Sequence, residues 1–383
     1  MDRMYYLIHT STQSMRNPPD RKSNAVVMDI PALLNEVTPQ WLTDALGHTV
    51  TSVAVDQIGK GEGFTGQVAR LDLTYDGATE LPSSMIVKLP TADQDQIWIG
   101  QSLGVWEKEH QFYIHAASHI SERIPRCYLN WADAEVTRYV LLLEDLAPMA
   151  TANQVEGATP DQARACVDAL GKLHGHWYGD DRLTEWTWLG PPYNPALDLL
   201  PDLFEMSWAM ATERYEGRVS AAAFEATRKF APLCIDWHKN TYCTRPTTLI
   251  HGDYRLDNLL FGDDGSMAII DWQAAAPNPG TTDLFFFILL NLTTDTRRDL
   301  EEDLFDLYLE SLGATARSAS GFDADELRGL YREALLFYTV TMASGVVHLD
   351  PSNERGAALI DQLVERTMAA ADDHAAWTAH ELG

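Results

Sequence analysis

The sequence predicts an α+β fold in which a small antiparallel sheet comes first and a larger, mainly helical part follows. Alternating, β-branched segments joined by glycine-rich or acidic turns dominate the chain up to about residue 146, a pattern typical of half-buried antiparallel strands. Beyond Pro148 the apolar residues recur at intervals of three and four, which indicates helices. A strand–loop–strand segment at residues 249–261 interrupts this helical half.

The first lobe is predicted at residues 26–146, after a flexible extension at residues 1–25 that is rich in Ser, Asn, Arg and Pro. A short helix with Thr38 as N-cap and Gly47 at its end opens the ordered part. A longer helix is expected at about 104–118. Strands are predicted at Thr51–Ile58, Gln67–Tyr75, Ser84–Leu89, Arg126–Trp131 and Val136–Glu144.

The second lobe is predicted at residues 147–383. Thr159, followed by Pro160 and then by Gln162 at the third helical position, forms a capping box that opens a helix. Asp283 precedes an apolar run and is interpreted as the N-cap of the next helix. Further helices are predicted at about 283–292, 298–312, 323–345 and 355–376.

The composition limits the classes of partner. The chain has 383 residues, 45% of them apolar, and 28 basic against 56 acidic residues give a net charge of −28. Nucleic acid and anionic membrane surfaces would be repelled by this charge. The four cysteines are scattered, which indicates neither a zinc site nor a disulfide framework. With no signal-peptide pattern and no long apolar run, a soluble cytoplasmic protein is expected; the oligomeric state stays open.

The most informative segment runs from Leu249 to Gln273. It reads as an apolar strand, a polar loop, two further apolar strands and an acid at the end of the last one. Asp253 and Asn258 stand five positions apart, and Asp271 follows thirteen positions later. Phosphoryl transfer needs a group that orients the accepting hydroxyl, and carboxylate and amide oxygens that hold Mg²⁺ on the phosphates. A polar hairpin that only caps its own backbone is the alternative, but it leaves the matched apolar strands without explanation.

Two basic side chains, Arg255 and His251, lie within the same loop. Arg255 stands two positions after Asp253, where a cation could stabilise the charge of the transition state; a salt bridge to Asp257 is the alternative. His251 is expected to support the loop by hydrogen bonds and to take no part in the chemistry.

The motif His-Gly-Asp-Tyr-Arg-x-Asp-Asn followed by Ile-Asp-Trp-Gln resembles the aminoglycoside phosphotransferase and choline kinase-like superfamily, in its broad bacterial branch whose substrates are mostly unassigned. The resemblance extends from about residue 37 to 350. It implies a two-lobed protein kinase-like fold that uses ATP, or GTP, together with Mg²⁺. On this basis Asp253 and Arg255 are the candidate catalytic residues, and Asn258 and Asp271 are the candidate Mg²⁺ ligands.

Nucleotide-binding residues are expected in the first lobe. A glycine-rich loop links two strands, and its backbone N–H groups could approach phosphate oxygens closely; an ordinary flexible hairpin is the alternative. The candidates in this loop are Gly61, Gly63, Phe64 and Thr65. The resemblance implies that Lys88, on an apolar strand, holds phosphate oxygens and pairs with Glu109. A strand-edge lysine and a solvated glutamate are the alternatives.

The end of the first lobe resembles the kinase hinge. There the adenine ring would be bound by the main chain from Glu144 to Leu146. On the acceptor side, five of the eleven tryptophans lie between Trp177 and Trp237. Such clusters usually form helix cores, but this segment is expected to line the mouth of the cleft and to favour an apolar, hydroxylated substrate over a polycation.

The sequence therefore predicts an ATP-dependent, Mg²⁺-dependent kinase that phosphorylates a hydroxyl of a small molecule. One alternative is a catalytically silent nucleotide-binding scaffold, which the complete set of Lys88, Asp253, Asn258 and Asp271 disfavours. A protein kinase is the other alternative. The chain has no Asp-Phe-Gly after the second strand and no Ala-Pro-Glu segment, which disfavours it.

Overall fold

The computed structural model describes residues 30–58, 66–91, 104–133, 136, 138–348 and 353–382. The predicted N-terminal extension and the four glycine-rich loop candidates, Gly61, Gly63, Phe64 and Thr65, lie outside the described residues. Within them, the predicted α+β architecture is confirmed: an antiparallel sheet is followed by a predominantly helical half.

Five strands form the antiparallel sheet in the spatial order β1-β2-β3-β5-β4. The strands are Val50–Ile58 (β1), Gly66–Tyr75 (β2), Ser84–Pro90 (β3), Cys127–Ala132 (β4) and Tyr139–Glu144 (β5). The last strand begins three residues later than predicted. Val136 lies instead in the preceding turn, where its φ is 50° and its N–H donates to the carbonyl of Asp133.

Two helices flank the sheet. Pro39–Leu46 (α1) is capped as predicted, since the Thr38 hydroxyl accepts from the backbone N–H of Trp41 and Gly47 closes the helix at φ 65°. Val105–His115 (α2) buries one face. Alternation along β3 directs Met85, Val87 and Leu89 into one apolar core and leaves Lys88 on the opposite face of the sheet.

Seven helices of ten or more residues follow in the described part of the second half. They are Pro160–Trp177 (α3), Leu200–Tyr215 (α4), Ala221–Phe230 (α5), Thr281–Asn291 (α6), Thr294–Ser320 (α7), Ala324–Ser344 (α8) and Glu354–Asp373 (α9). The predicted capping box of Thr159 and Gln162 opens α3. Helix α7 begins four residues before the predicted range of 298–312. The predicted end coincides with a break at Gly313, where φ is 78°, and a second helical segment continues to Ser320.

Glycines allow α3 and α7 to approach closely. A Cβ atom at Gly171 would lie 2.5 Å from the Cβ of Ser311, and one at Gly175 would lie 2.5 Å from the carbonyl oxygen of Leu312. Side chains at these two positions would therefore push the helices apart. The α3–α7 pair belongs to the large apolar core of the helical half.

Short strands surround the loop that the sequence singles out. Thr248–Ile250 (β7) pairs with Ala276–Asn278 (β10), whereas Leu259–Phe261 (β8) pairs with Met267–Ile269 (β9) and with Ala150–Thr151 (β6). The strands on both sides of residues 251–258 are thus anchored in ladders, which fixes the two ends of the loop. Among the helices of the described residues, none is both long and apolar enough to cross a bilayer.

Candidate active site

Lys88 is the point at which the two halves of the molecule meet. Its ammonium nitrogen lies 2.7 Å from the carboxylate of Glu109 on α2 and 2.8 Å from Oδ1 of Asp271, which follows β9. The Lys88 side chain is 15% exposed and that of Glu109 only 2%, so water does little to screen these charges. One cation is therefore held between carboxylates from both lobes.

The backbone around Asp271 has an uncommon conformation. Its φ of 68° and ψ of 66° place a non-glycine residue in the left-handed region, which is sparsely populated for such residues. The second carboxylate oxygen, Oδ2, accepts from the Gln273 side-chain amide at 3.3 Å. The adjacent Trp272 is fully buried and stacks on Phe112 of α2, with ring centroids 4.2 Å apart. This stack packs the segment that carries Asp271 against α2, the helix that carries Glu109.

Burial and the neighbouring charges set the protonation of the cluster. For Lys88, burial would lower the pKa of the ammonium group, but Asp271 and Glu109 outweigh it and hold that pKa well above its ordinary value. For Asp271, burial would raise the pKa, but the ammonium of Lys88 lowers it below its ordinary value. Burial raises the pKa of Glu109 despite Lys88. The ammonium of Lys88 thus favours the ionised form of Asp271.

Asp253 and Asn258, predicted to act together, are joined directly. The amide nitrogen of Asn258 donates to the backbone carbonyl and to Oδ2 of Asp253, both at 2.9 Å. These two bonds orient the amide so that its oxygen lies on the side away from Asp253. The backbone N–H of Ile270 donates to the backbone carbonyl of Asn258 at 3.0 Å, which brings Asn258 next to the segment that carries Asp271.

Arg255 makes the salt bridge to Asp257 that the sequence offers as one alternative, and it also contacts Asp253. Its Nε lies 3.3 Å from Oδ2 of Asp253, and its Nη1 lies 3.1 Å from Oδ2 of Asp257. About a third of the side chain is exposed. The guanidinium group therefore lies beside the candidate base while it is also held by a second carboxylate.

His251 supports the loop as predicted. Its Nε2–H donates to the carbonyl of Ile270 at 2.9 Å, and its Nδ1 accepts from the backbone N–H of Asp253 at 3.2 Å. These two contacts are consistent with a neutral ring protonated on Nε2. The imidazole thus connects the loop to the strand end that leads to Asp271.

Asp283 has a role that differs from the prediction. It does not cap α6, whose N-cap is Gly280 without a side-chain bond. Its buried carboxylate instead accepts from the backbone N–H groups of His251 at 2.6 Å and Gly252 at 2.9 Å, and it contacts the buried ring of His174 at 3.4 Å. The carboxylate therefore holds the beginning of the loop. The motif gives no local signal of this contact, because the partners are about thirty residues apart.

Gly252 is required by the packing of the loop. Its φ is 82°, and a Cβ atom there would lie 2.3 Å from the carbonyl oxygen of Ala274. Any side chain would force the loop away from the Asp271–Ala274 segment. The glycine in the motif thus permits the close approach of the two segments that carry the candidate functional groups.

The predicted hinge residues lie at the end of β5. The backbone N–H of Glu144 donates to the carbonyl of Arg126 at 2.8 Å, and its carboxylate is held by Arg123 at 2.5 Å. Leu146 is 9% exposed, and its carbonyl accepts from the N–H of Met149. Between them, Asp145 accepts from Ser84 and Arg70. These contacts fix the backbone of this segment, and its binding of an adenine ring stays a prediction.

The aromatic residues between Trp177 and Trp237 are mostly packed against one another. Trp177 and Phe204 are fully buried in the helical core, and Trp208 stacks on Phe224 with ring centroids 4.4 Å apart. Trp188 lies close to His115, at the end of α2, with ring centroids 6.4 Å apart. Most of these residues therefore belong to a helix core. Only part of the segment, around Trp188, reaches the first lobe.

Comparison with known proteins identifies the family. The family model described as "Phosphotransferase enzyme family" (APH) matches residues 81–329. This match covers more than half of the chain and includes Lys88, Glu109, Asp253, Asn258 and Asp271. The chain therefore belongs to this family. Comparison with curated protein sequences finds no match.

Solved structures with similar folds agree with the family assignment. A protein from Ralstonia eutropha JMP134, provisionally named an aminoglycoside phosphotransferase, has a TM-score of 0.51 at 14% identity over 90% of this chain and 97% of its own. Spectinomycin phosphotransferase, solved with ADP and spectinomycin, has a TM-score of 0.51 at 13% identity over 88% and 97%. The complex of APH(2″)-IIIa with GDP and kanamycin has a TM-score of 0.51 at 14% identity over 87% and 97%. At these identities the similarity establishes the kinase-like fold.

The contact of Asp283 with the loop leads to a stability prediction. The Asp283→Asn variant keeps the side-chain size but replaces one acceptor oxygen with an N–H₂ group that faces a backbone donor. We expect the free energy of unfolding to fall by about 1–3 kcal/mol, the cost of a buried unsatisfied donor, as measured by urea denaturation. Asp299→Asn, at an exposed position of α7, is the matched control and should leave stability nearly unchanged. Equal stabilities of the two variants would contradict the anchoring role.

Proposed function

We propose that this member of the phosphotransferase family transfers the γ-phosphoryl group of ATP to a hydroxyl of a small molecule and requires Mg²⁺. GTP is the alternative nucleotide, because the related enzymes named above were solved with ADP in one case and GDP in the other. The proposal includes the division into a nucleotide-binding lobe at residues 26–146 and a catalytic and acceptor-binding lobe at residues 147–383.

The observation that carries the proposal is that an ion-paired cluster spanning both lobes lies next to a hydrogen-bonded pair of residues in the loop at 251–258. The ion-paired cluster of Lys88, Glu109 and Asp271 supplies a cation and an ionised carboxylate. The hydrogen-bonded pair of Asp253 and Asn258 supplies a second carboxylate and an amide oxygen. Phosphoryl transfer depends mainly on positioning and charge stabilisation, which are the properties that such groups provide.

The reaction forms a bond between the acceptor oxygen and the γ-phosphorus and breaks the bond from that phosphorus to the β–γ bridging oxygen. In the proposal, Lys88 holds phosphate oxygens of the nucleotide, and the glycine-rich loop and the main chain from Glu144 to Leu146 bind the rest. The Asp253 carboxylate orients the acceptor hydroxyl and takes up its proton. Arg255 stabilises negative charge on the transferring group.

The residues present fit a Mg²⁺ ion. The Asn258 amide nitrogen is occupied by Asp253, so the amide oxygen is the atom that can face a metal. The lowered pKa of Asp271 keeps its carboxylate ionised. Mg²⁺ is commonly bound by one or two protein oxygens together with substrate phosphates and water. When bound, the ion neutralises charge on the phosphate oxygens.

The acceptor side of the proposal rests on an exposed apolar stripe of α4. Met206 is 63% exposed and Met210 is 43% exposed, and residues four apart lie on one face of a helix. Between them, Ser207 donates to the carbonyl of Ser344 at the end of α8. This contact places the helix that carries the stripe beside the end of α8.

Helix α9 contacts both α4 and the loop at residues 251–258. Arg214 of α4 pairs with Asp361 of α9 at 2.5 Å, and Arg355 in the first turn of α9 lies 3.8 Å from Asp257. Flexible methionines on an exposed helix suit an apolar ligand surface. We therefore infer an acceptor with a substantially apolar face that carries the reacting hydroxyl.

Thermal unfolding tests the nucleotide and metal site. ATP with Mg²⁺ should raise the Tm of the wild type, because a ligand that binds only the folded state stabilises it. In Asp271→Ala the Mg²⁺-dependent part of this rise should disappear, whereas Asp263→Ala, at an exposed turn, should retain it. Equal Mg²⁺-dependent shifts in wild type and Asp271→Ala would remove Asp271 from the metal site.

Turnover tests the assignment of Asp253. In Asp253→Asn the affinity for ATP should stay nearly constant while kcat falls about 10²–10⁴-fold, the usual contribution of a positioned base. An ATP-consumption screen over hydroxylated compounds, including aminoglycosides, choline, sugars, macrolides and sterols, supplies the acceptor for this measurement. Unchanged kcat in the variant would place the base elsewhere. If the wild type consumes no ATP with any acceptor, the scaffold alternative is favoured.

The methionine stripe can be tested in the same assay. Replacing both Met206 and Met210 with Gln should raise KM for the acceptor several-fold and leave KM for ATP unchanged, because apolar contact area with the acceptor is lost. Val55→Gln changes an exposed apolar residue of β1 (40% exposed) and is the control. Acceptor binding should depend little on salt. A steep loss of affinity with ionic strength would instead indicate a cationic acceptor.

A further inference from the structure

Asp257 lies between two arginines. Its Oδ2 is 3.1 Å from Nη1 of Arg255 in the same loop, and its Oδ1 is 3.8 Å from Nη2 of Arg355 in the first turn of α9. Its side chain is 28% exposed. Asp257 immediately precedes Asn258 in the motif, but it is neither the proposed base nor a proposed metal ligand.

Arg255 has two carboxylate partners that compete for it. It meets Asp253 through Nε alone, at 3.3 Å, and directs Nη1 to Asp257 at 3.1 Å. A guanidinium group bonds most strongly to a carboxylate when two of its N–H groups face the two oxygens. With Asp257 absent, the favoured arrangement would be such a paired contact with Asp253. That contact would occupy the oxygens that the acceptor hydroxyl needs.

We propose that Asp257 is a positioning residue for the reaction: it holds Arg255 away from a paired contact with Asp253, so that the base stays accessible and the guanidinium stays directed toward the transferring group. Arg355 connects the same carboxylate to α9 and thereby ties the orientation of Arg255 to the C-terminal helix. This inference rests on the proposed function. It assigns roles to Asp257 and Arg355, which have none in the proposed function.

Replacing Asp257 should lower the catalytic rate more than the stability of the fold. Partly exposed ion pairs contribute little to the free energy of unfolding, and the loop is held independently by Asp283 and His251. A change at Asp257 should therefore leave the loop folded while it alters the orientation of one side chain.

Kinetics of the Asp257→Asn variant give the first test. We expect kcat to fall about ten-fold, with KM for ATP, the Mg²⁺ dependence and the Tm nearly unchanged. Asp257→Glu should recover part of kcat, and Arg355→Gln should cause a smaller loss than Asp257→Asn. In Arg255→Lys, the further change Asp257→Asn should cause no additional loss. Glu302→Gln, which removes an exposed pair with Arg328 at 2.6 Å between α7 and α8, is the control and should leave kcat unchanged.

Crystal structures of the wild type and of Asp257→Asn give a test that needs no turnover. Arg255 should move in the variant so that two of its N–H groups contact Asp253. If Arg255 keeps its wild-type position, or if kcat is unchanged in an active enzyme, the positioning role of Asp257 is wrong. A wild type without turnover would contradict the proposed function, whereas the position of Arg255 in the two crystal structures would still decide whether Asp257 holds it.

Discussion

The ion pair between Lys88 and Asp271 is the interaction on which the arrangement of the site depends. A largely buried ammonium without partners would be strongly unfavourable. Strand β3 can therefore carry Lys88 on the face opposite Met85, Val87 and Leu89 only if carboxylates reach it. One comes from α2 and the other from the segment after β9, which means that the sheet, its helix and the second lobe must be assembled for the charge to be compensated. The stack of Phe112 on Trp272 provides apolar contact at the same junction. The stack and the ion pair thus both join the first lobe to the segment that carries Asp271.

The loop at residues 251–258 has polar backbone groups that lie against an apolar core. Buried N–H groups must find acceptors, and the first two of this loop find the carboxylate of Asp283. Later in the loop, the N–H of Leu256 donates to the buried side chain of Asn291 at 2.9 Å. Both acceptors lie on α6, one near each end. A single helix thus provides polar contacts for the loop, while its apolar side chains remain in the core.

Those parts of the fold that obey local rules could be predicted from the sequence. The Thr38 and Thr159 caps lie where the sequence indicates, because a cap is decided by residues within one turn. The apolar residues that alternate around Lys88 likewise indicate a strand with Lys88 on the face opposite them. Val136 shows the limit: its β-branched side chain favours a strand, but the turn between β4 and β5 imposes a positive φ. The contacts of Asp283 and the Arg355–Asp257 pair join segments that are distant in the sequence, so no local pattern reveals them.

The difference between local and long-range contacts also explains why the sequence indicates the type of reaction more clearly than the acceptor. The groups proposed to act on the phosphate come from two compact motifs in which spacing along the chain largely determines spacing in the structure. The proposed acceptor side consists of α4, the end of α8 and the first half of α9, which are joined by Ser207–Ser344 and Arg214–Asp361, pairs well over a hundred residues apart. Small changes in how these helices pack would alter the shape and polarity of that surface without touching the loop. Under the proposed function, the acceptor surface can therefore change while the geometry of Asp253, Asn258 and Asp271 stays constant.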